Sequence, residues 1–141
     1  MASNDAAGIM IKQINDALSK IANNDLRESD LTITQVGMLS TLYHTENQDM
    51  TLKELEKAHH VSQPTVYGIV RRLSEKGLVI TYDDEINQRI KHVKLTKEGI
   101  RQAEIGESHM ADTEKLLMKN LSEEEQIQLK ILLKKILSGL M

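Results

Sequence analysis

The chain contains no cysteine. That absence excludes disulfides, thiolate metal sites, cysteine nucleophiles and thiol-based redox sensing together. Phenylalanine and tryptophan are missing too, and tyrosine occurs only as Tyr43, Tyr67 and Tyr82. The core is therefore expected to be Leu, Ile, Val and Met, and base stacking on aromatic rings, the common grip on single-stranded nucleic acid, has little to use. No apolar run approaches the roughly 20 residues that span a bilayer, so no membrane partner is expected. The opening MASNDAAGIMIKQIND lacks a positive stretch followed by an apolar one. No secretory signal is expected, and the expected location is cytoplasmic.

What is present fits one folded unit. The 141 residues are 40% hydrophobic and 28% charged, which is globular composition with enough length for a core. The formal net charge of −3 argues against nucleic acid at first sight, but its distribution does not. From Thr51 to Arg101 there are ten Lys/Arg against seven Asp/Glu, whereas the rest of the chain carries eight against fourteen. A basic centre lies between acidic ends.

Hydrophobic periodicity divides the chain into helices and two strands. Ile9, Ile14, Leu18 and Ile21 predict an amphipathic helix over about 5–24, followed by the polar connector NNDLRESD. Thr32 and Gln35 form a capping box for a helix with Val36, Leu39, Leu42 and Tyr43 on its apolar face. Thr51 and Glu54 repeat the device for a short helix with Leu52, Leu55 and Ala58 inward. Ser62 is placed to cap a further helix from Gln63 to about Lys76, with Pro64 in its first turn and Gly77 as its stop. Its core face is Val66, Ile69, Val70 and Leu73. LVITY (78–82) and KHVKL (91–95) read as strands joined by DDEINQRI, a connector long enough to form a flexible tip. Thr96 caps a long helix to about Asn120, and Ser122 with Glu125 forms a third capping box before a final helix.

Helix, short helix, three-residue turn, helix and two strands is the order of a winged helix-turn-helix. In that arrangement the first helix of the pair props the second so that its N-terminal end can enter a major groove. The outer face of the 63–76 helix carries Gln63, Thr65, Tyr67, Gly68, Arg71 and Arg72. Gln63, Thr65, Tyr67 and Gly68 are the expected base readers, since Gln can address adenine and Thr the thymine methyl. Ser62, Arg71 and Arg72 are expected to position phosphates. Gly68 admits two readings, a tolerated surface glycine or a site of close approach to DNA.

These residues resemble a known family. LTITQVGMLSTL, TLKELEKAHHVSQPTVYGIVRRLSEKGLV, the charged hairpin and KLTKEG follow one another, from about Leu31 to Gly99, as in the MarR family of bacterial transcription regulators. The resemblance implies a mainly α fold with a small β-wing, a winged helix-turn-helix flanked by N- and C-terminal dimerisation helices. It places one domain over 1–141, a DNA-binding lobe over 32–98 and dimerisation helices over 5–24 and 97–139. It further implies a homodimer, double-stranded DNA with a pseudo-palindromic operator as partner, and a small-molecule effector seated between the dimerisation helices and the lobe. An apolar helix at each end of so short a chain separately asks for a partner surface. The wing departs from the pattern. Where many members carry an acidic residue and two arginines, this chain reads Asn87, Gln88 and Arg89. Arg89, with Lys91 behind it, is the expected wing contact, and Asp83, Asp84 and Glu85 would repel phosphate unless paired. A weaker wing contribution is expected.

Competing chemistries have less to stand on. Five histidines (His44, His59, His60, His92, His109) invite a metal-responsive reading, but Glu56 with His59 or His60, which has usable helical spacing, falls at the junction of the short helix and the turn. There His59 is expected to help end the helix and His60 to lie exposed in the turn. The seven methionines fit core filling. No nucleophile–base pair, phosphate-binding glycine loop or H-E-x-x-H is present, so no catalytic residue, metal ligand or cofactor is assigned. The alternatives are a winged-helix protein-interaction module, which Arg71 and Arg72 disfavour, or a metal-responsive member of the same family.

Overall fold

The computed structural model describes residues 5–25 and 30–141. The elements run α1 (Ala7–Asp25), α2 (Ile33–Tyr43), β1 (Asp49–Thr51), α3 (Leu52–His59), α4 (Gln63–Glu75), β2 (Val79–Asp83), β3 (Lys91–Leu95), α5 (Lys97–Met118) and α6 (Glu123–Leu140). Among the described residues, six α-helices and a small antiparallel sheet give the mainly α, winged architecture read from the sequence. α1 continues to Asp25, so the expected connector is shorter, and its residues 26–29 lie outside the described residues.

The sheet has three strands, not two, in the order β1-β3-β2. β1 was missed because DMT is too short to show a period of two; pairing with β3, Met50 opposite Val93, makes it a strand. A short 3-10 turn at Glu46–Gln48 delivers the chain into it.

Four helix starts were legible from their caps. Thr32 accepts from the Gln35 N–H while Gln35 accepts from the Thr32 N–H. The buried Gln35 amide oxygen also accepts from Lys76 Nζ at 3.3 Å, tying the start of α2 to the end of α4. Ser122 and Glu125 close the same reciprocal box on α6. Ser62 and Thr96 each accept from the third helical N–H. The box expected at Thr51 is only half formed: Thr51 Oγ1 caps the Glu54 N–H, but the Glu54 carboxylate takes the Thr51 hydroxyl instead of its backbone. At its other end α4 closes with Gly77 at φ 75°, Leu78 N–H bonded to Leu73 C=O and Gly77 N–H to Ser74 C=O. Thr96 Oγ1 then donates to Gly77 C=O at 2.7 Å, so the cap of α5 also fastens the exit of α4.

The core gathers Leu39, Leu42, Leu55, Val66, Leu73 and Val93 from four elements, each essentially inaccessible to solvent. Its buried apolar members are Leu, Val, Met and Ala. Isoleucine, expected among them, is not there. The isoleucines lie partly covered or on open faces, with Ile9, Ile11 and Ile14 exposed on α1 and Ile127, Ile131 and Ile136 exposed on α6. No residue of α6 is buried within the chain. On α3 the expected inward Ala58 is exposed, and His59 turns toward the body in its place.

Candidate nucleic-acid interface

α3 and α4 are joined by the three residues His60, Val61 and Ser62. His60 ends α3 in the left-handed region, φ 53° and ψ 42°, which reverses the chain in one residue. His59 fixes α3 against α2. Its Nε2 lies 2.9 Å from Thr41 Oγ1, and the Thr41 hydroxyl donates to Gly37 C=O. The hydroxyl hydrogen is thus spent, and His59 Nε2–H must be the donor. Burial, with the neighbouring His60 second, lowers the His59 pKa, which keeps it neutral. Both histidines of the HH pair therefore serve the turn, as the sequence suggested.

Val66, Val70 and Leu73 anchor α4 in the core, and Ile69 is partly covered. This leaves Gln63, Thr65, Tyr67, Gly68, Arg71 and Arg72 exposed on one outward surface. Ser62 Oγ lies 2.9 Å from Thr65 Oγ1, so a residue expected at phosphate and one expected at a base edge are oriented together. Arg71 leans on Glu75 at 3.7 Å in a fully solvated pair, worth little. The Arg72 side chain has no ion pair among the described residues. A Cβ added at Gly68 would meet nothing within 4 Å. Packing inside the protein does not demand glycine there.

Between α4 and the wing runs an open groove of about 700 Å³, walled by Tyr67, Gly68 and Arg71 on one side and by Thr81, Asp83 and Lys91 on the other. Two of the three wing-base carboxylates, Asp83 and Asp84, have partners. Lys91 pairs with Asp83, and His92 Nε2 lies 2.8 Å from Asp84 Oδ1. Lys91, expected behind Arg89 at the wing contact, is thus committed to Asp83, while the Arg89 side chain has no ion pair among the described residues. The wing loop is also better tied than its length suggested. Asp84 Oδ2 accepts from the N–H groups of Ile86 and Asn87, each at 3.1 Å, and Asn87 Oδ1 accepts from Arg89 N–H. Sequence reasoning missed this network, because Asp49, Asp84 and His92 carry no spacing signal and meet only through the sheet.

A second depression, about 610 Å³, lies between α1, α2 and α5 and is lined mainly by apolar groups that include Leu18, Val36, Met110 and Leu117. A Cβ at Gly106 would sit 2.6 Å from Val36 Cγ1, so glycine sets how closely α5 crosses α2 beside it. Glu107 brings a charge to the rim. Ser40 donates to it at 2.5 Å and His44 stands 2.8 Å away, and the Ser40 bond, then His44, holds its carboxyl below the usual range. Among the described residues no three His, Asp or Glu side chains gather in a metal-ligating cluster. No helix among them is long and apolar enough to cross a membrane.

The arrangement is similar to that of known transcription regulators. The MarR family profile matches residues 31–91. The structure of S. aureus MepR in complex with DNA superposes with a TM-score of 0.90 at 31% identity, over 95% of this chain and 98% of that one. A mutant of MarR from E. coli complexed with operator DNA gives 0.84 at 28% identity, over 95% and 96%. AbsC from Streptomyces coelicolor, at 21% identity, shares the fold with a TM-score of 0.88 over 99% and 96%. Comparison with curated proteins gives no match. Sequence profile, full-length superposition and the cap-by-cap helix-turn-helix agree that the chain belongs to the MarR family of DNA-binding transcription regulators.

Proposed function

We propose that the chain acts as a homodimeric repressor that holds a pseudo-palindromic operator and releases it when a small molecule binds. The observation that carries this reading is the outward face of α4. A helix with one core stripe, a capped and positively polarised N-terminus, and Gln63, Thr65, Tyr67, Gly68, Arg71 and Arg72 exposed beside a groove has the shape and chemistry a major groove requires. Gln63, Thr65, Tyr67 and Gly68 read bases, Ser62, Arg71 and Arg72 hold phosphates, and Arg89 probes the minor groove from the wing. Lys91 acts chiefly by cancelling Asp83.

The dimer follows from the open Ile and Leu faces of α1 and α6, which a second copy would cover by two-fold symmetry. The cavity between α1, α2 and α5 spans the junction of these helices with the winged lobe. A ligand wedged there changes the angle between them and so the spacing of the two recognition helices. MepR and MarR have been seen with DNA, and BpsR of Bordetella bronchiseptica is regulated in its DNA binding by 6-hydroxynicotinic acid. Repression is the output assigned, since a dimer seated on promoter DNA obstructs polymerase. Selection of duplexes from a random-sequence pool tests the reading. Two inverted half-sites about 10 base pairs apart are expected, and recovery of no shared sequence would overturn it.

A further inference from the structure

His92, on β3, sits between two carboxylates. Its Nδ1 is 3.1 Å from Asp49 Oδ1 on β1, and its Nε2 is 2.8 Å from Asp84 Oδ1 at the base of the wing. An ionised carboxylate only accepts hydrogen bonds, so both ring nitrogens must carry hydrogen for both contacts to hold. That species is the imidazolium cation. The surroundings support it. The ring of Tyr82 on β2 stacks on His92 at 4.8 Å and 10°, and the Tyr82 hydroxyl donates to the second oxygen of Asp49. Glu85 acts on the stacked Tyr82 from the loop, Asp83 is paired with Lys91, and Lys94, two residues along β3 from His92 and opposite Asp49 in register, is a cation like the imidazolium. The side chains of His92, Asp49 and Asp84 are 21%, 18% and 29% exposed, so solvent screens these contacts incompletely.

Asp84 transmits the contact. The oxygen that His92 does not hold accepts from Ile86 and Asn87, and Asn87 in turn accepts from the backbone N–H of Arg89. A continuous chain of hydrogen bonds thus runs from β1 through His92 to the backbone of Arg89. We propose that protonated His92 is a positioning residue for the wing, fixing the aim of Arg89 so that DNA affinity falls when His92 loses its proton. This rests on the reading of Arg89 as the wing's DNA contact. On deprotonation one ring nitrogen becomes an acceptor facing a carboxylate. That contact turns repulsive, and where it faces Asp84 the chain of bonds to Arg89 loses its anchor on β3, while negative charge at a wing that must approach phosphate is no longer balanced. The Asp84 bond, with Asp49 adding to it against some desolvation, raises the His92 pKa above the ordinary histidine value. The same bond lowers the Asp84 pKa, so the contact favours the charged form of both partners.

The experiment has a DNA-free arm and a DNA arm, both on the full-length chain. Long-range proton–nitrogen NMR of the imidazoles at neutral pH is expected to show both His92 nitrogens protonated, with protection of the Ile86, Asn87 and Arg89 amides lost in His92→Gln. A neutral His92 would overturn the proposal. In the second arm a short mixed-sequence duplex is titrated at low salt from about pH 6 to about pH 8.5. The wild type is expected to lose about three- to tenfold in affinity, the size of one well-placed charged contact, and His92→Gln to lose markedly less. Asp84→Asn, which keeps the shape of the side chain, is expected to flatten the response in the same way. An equal pH response in wild type and His92→Gln overturns the proposal alone. Absence of wild-type binding at both pH values overturns the DNA reading and the proposal with it.

Discussion

The first turn of α5 meets the backbone carbonyl of Leu78 at Gly99, with no room between them for a side-chain carbon. A Cβ built on Gly99 collides with the Leu78 oxygen and crowds Leu95 Cδ2 at 3.2 Å. Leu78 C=O is held in place because it accepts from Thr96 N–H. The glycine closing the LTKEG stretch after the wing thus has a steric reason, and it locks the long helix to the winged lobe. Replacing Gly99 by Ala is expected to cost about 2–4 kcal/mol despite the better helix propensity of Ala, because neither backbone can yield. Urea unfolding monitored by circular dichroism checks it.

Gly68 is the opposite case. Nothing within 4 Å would touch a methyl group there, so Gly68→Ala is expected to stabilise the chain by up to about 1 kcal/mol through helix propensity alone. The same methyl lies on the face assigned to the major groove and is expected to weaken DNA binding. Stability and affinity moving in opposite directions separates close approach from mere tolerance. An unchanged affinity leaves Gly68 as an ordinary surface glycine.

Stability should depend on pH through His92 and Asp84 within a definable window. His92 has a raised pKa in the folded chain, so its contribution is complete below the unfolded histidine value and is lost as pH rises through the folded one. Asp84 is lowered, by its His92 bond first and then by the Asn87 and Ile86 N–H groups, so its contribution is lost as pH falls through its folded value. The gap in urea midpoint between wild type and His92→Gln should be widest from about pH 4.5 to 6.5 and narrow on either side. A gap independent of pH would show that His92 contributes shape alone.

The winged lobe was largely legible because its signals are local. Thr32 with Gln35, Ser62, Thr96 and Ser122 with Glu125 each announce a helix within four residues, and Gly77 announces its stop. The rest depends on contacts far apart in sequence. β1 exists only because β3 pairs with it, and His92 meets Asp49 across 43 intervening steps of chain. The inward turn of His59 in place of Ala58 depends on Thr41, a partner on another helix. The cavity beside Glu107 is assembled from three helices, none of which reveals it alone.

The open faces of α1 and α6 set a test of assembly. Ile131 on α6 is 54% exposed in the single chain and Ile14 on α1 is 47% exposed. If a second copy covers them, Ile131→Glu buries a charge at the interface and should dissociate the dimer, with sedimentation showing half the wild-type mass. The single change is expected to leave the winged lobe folded, since no residue of α6 is buried within the chain. A wild type that sediments as a monomer would remove the dimer from the account.

The most direct test of the central claim is the salt dependence of binding to an operator-selected duplex, for wild type and for Arg71→Ala and Arg72→Ala. If α4 lies in the major groove with these arginines on phosphates, log affinity falls linearly with log salt. Each arginine change should then reduce the slope by about one and weaken all sequences alike, whereas Gln63→Ala or Thr65→Ala should shift preference among sequences by about 1–3 kcal/mol. A flat salt dependence in the wild type, or a slope untouched by loss of Arg71 and Arg72, would contradict it.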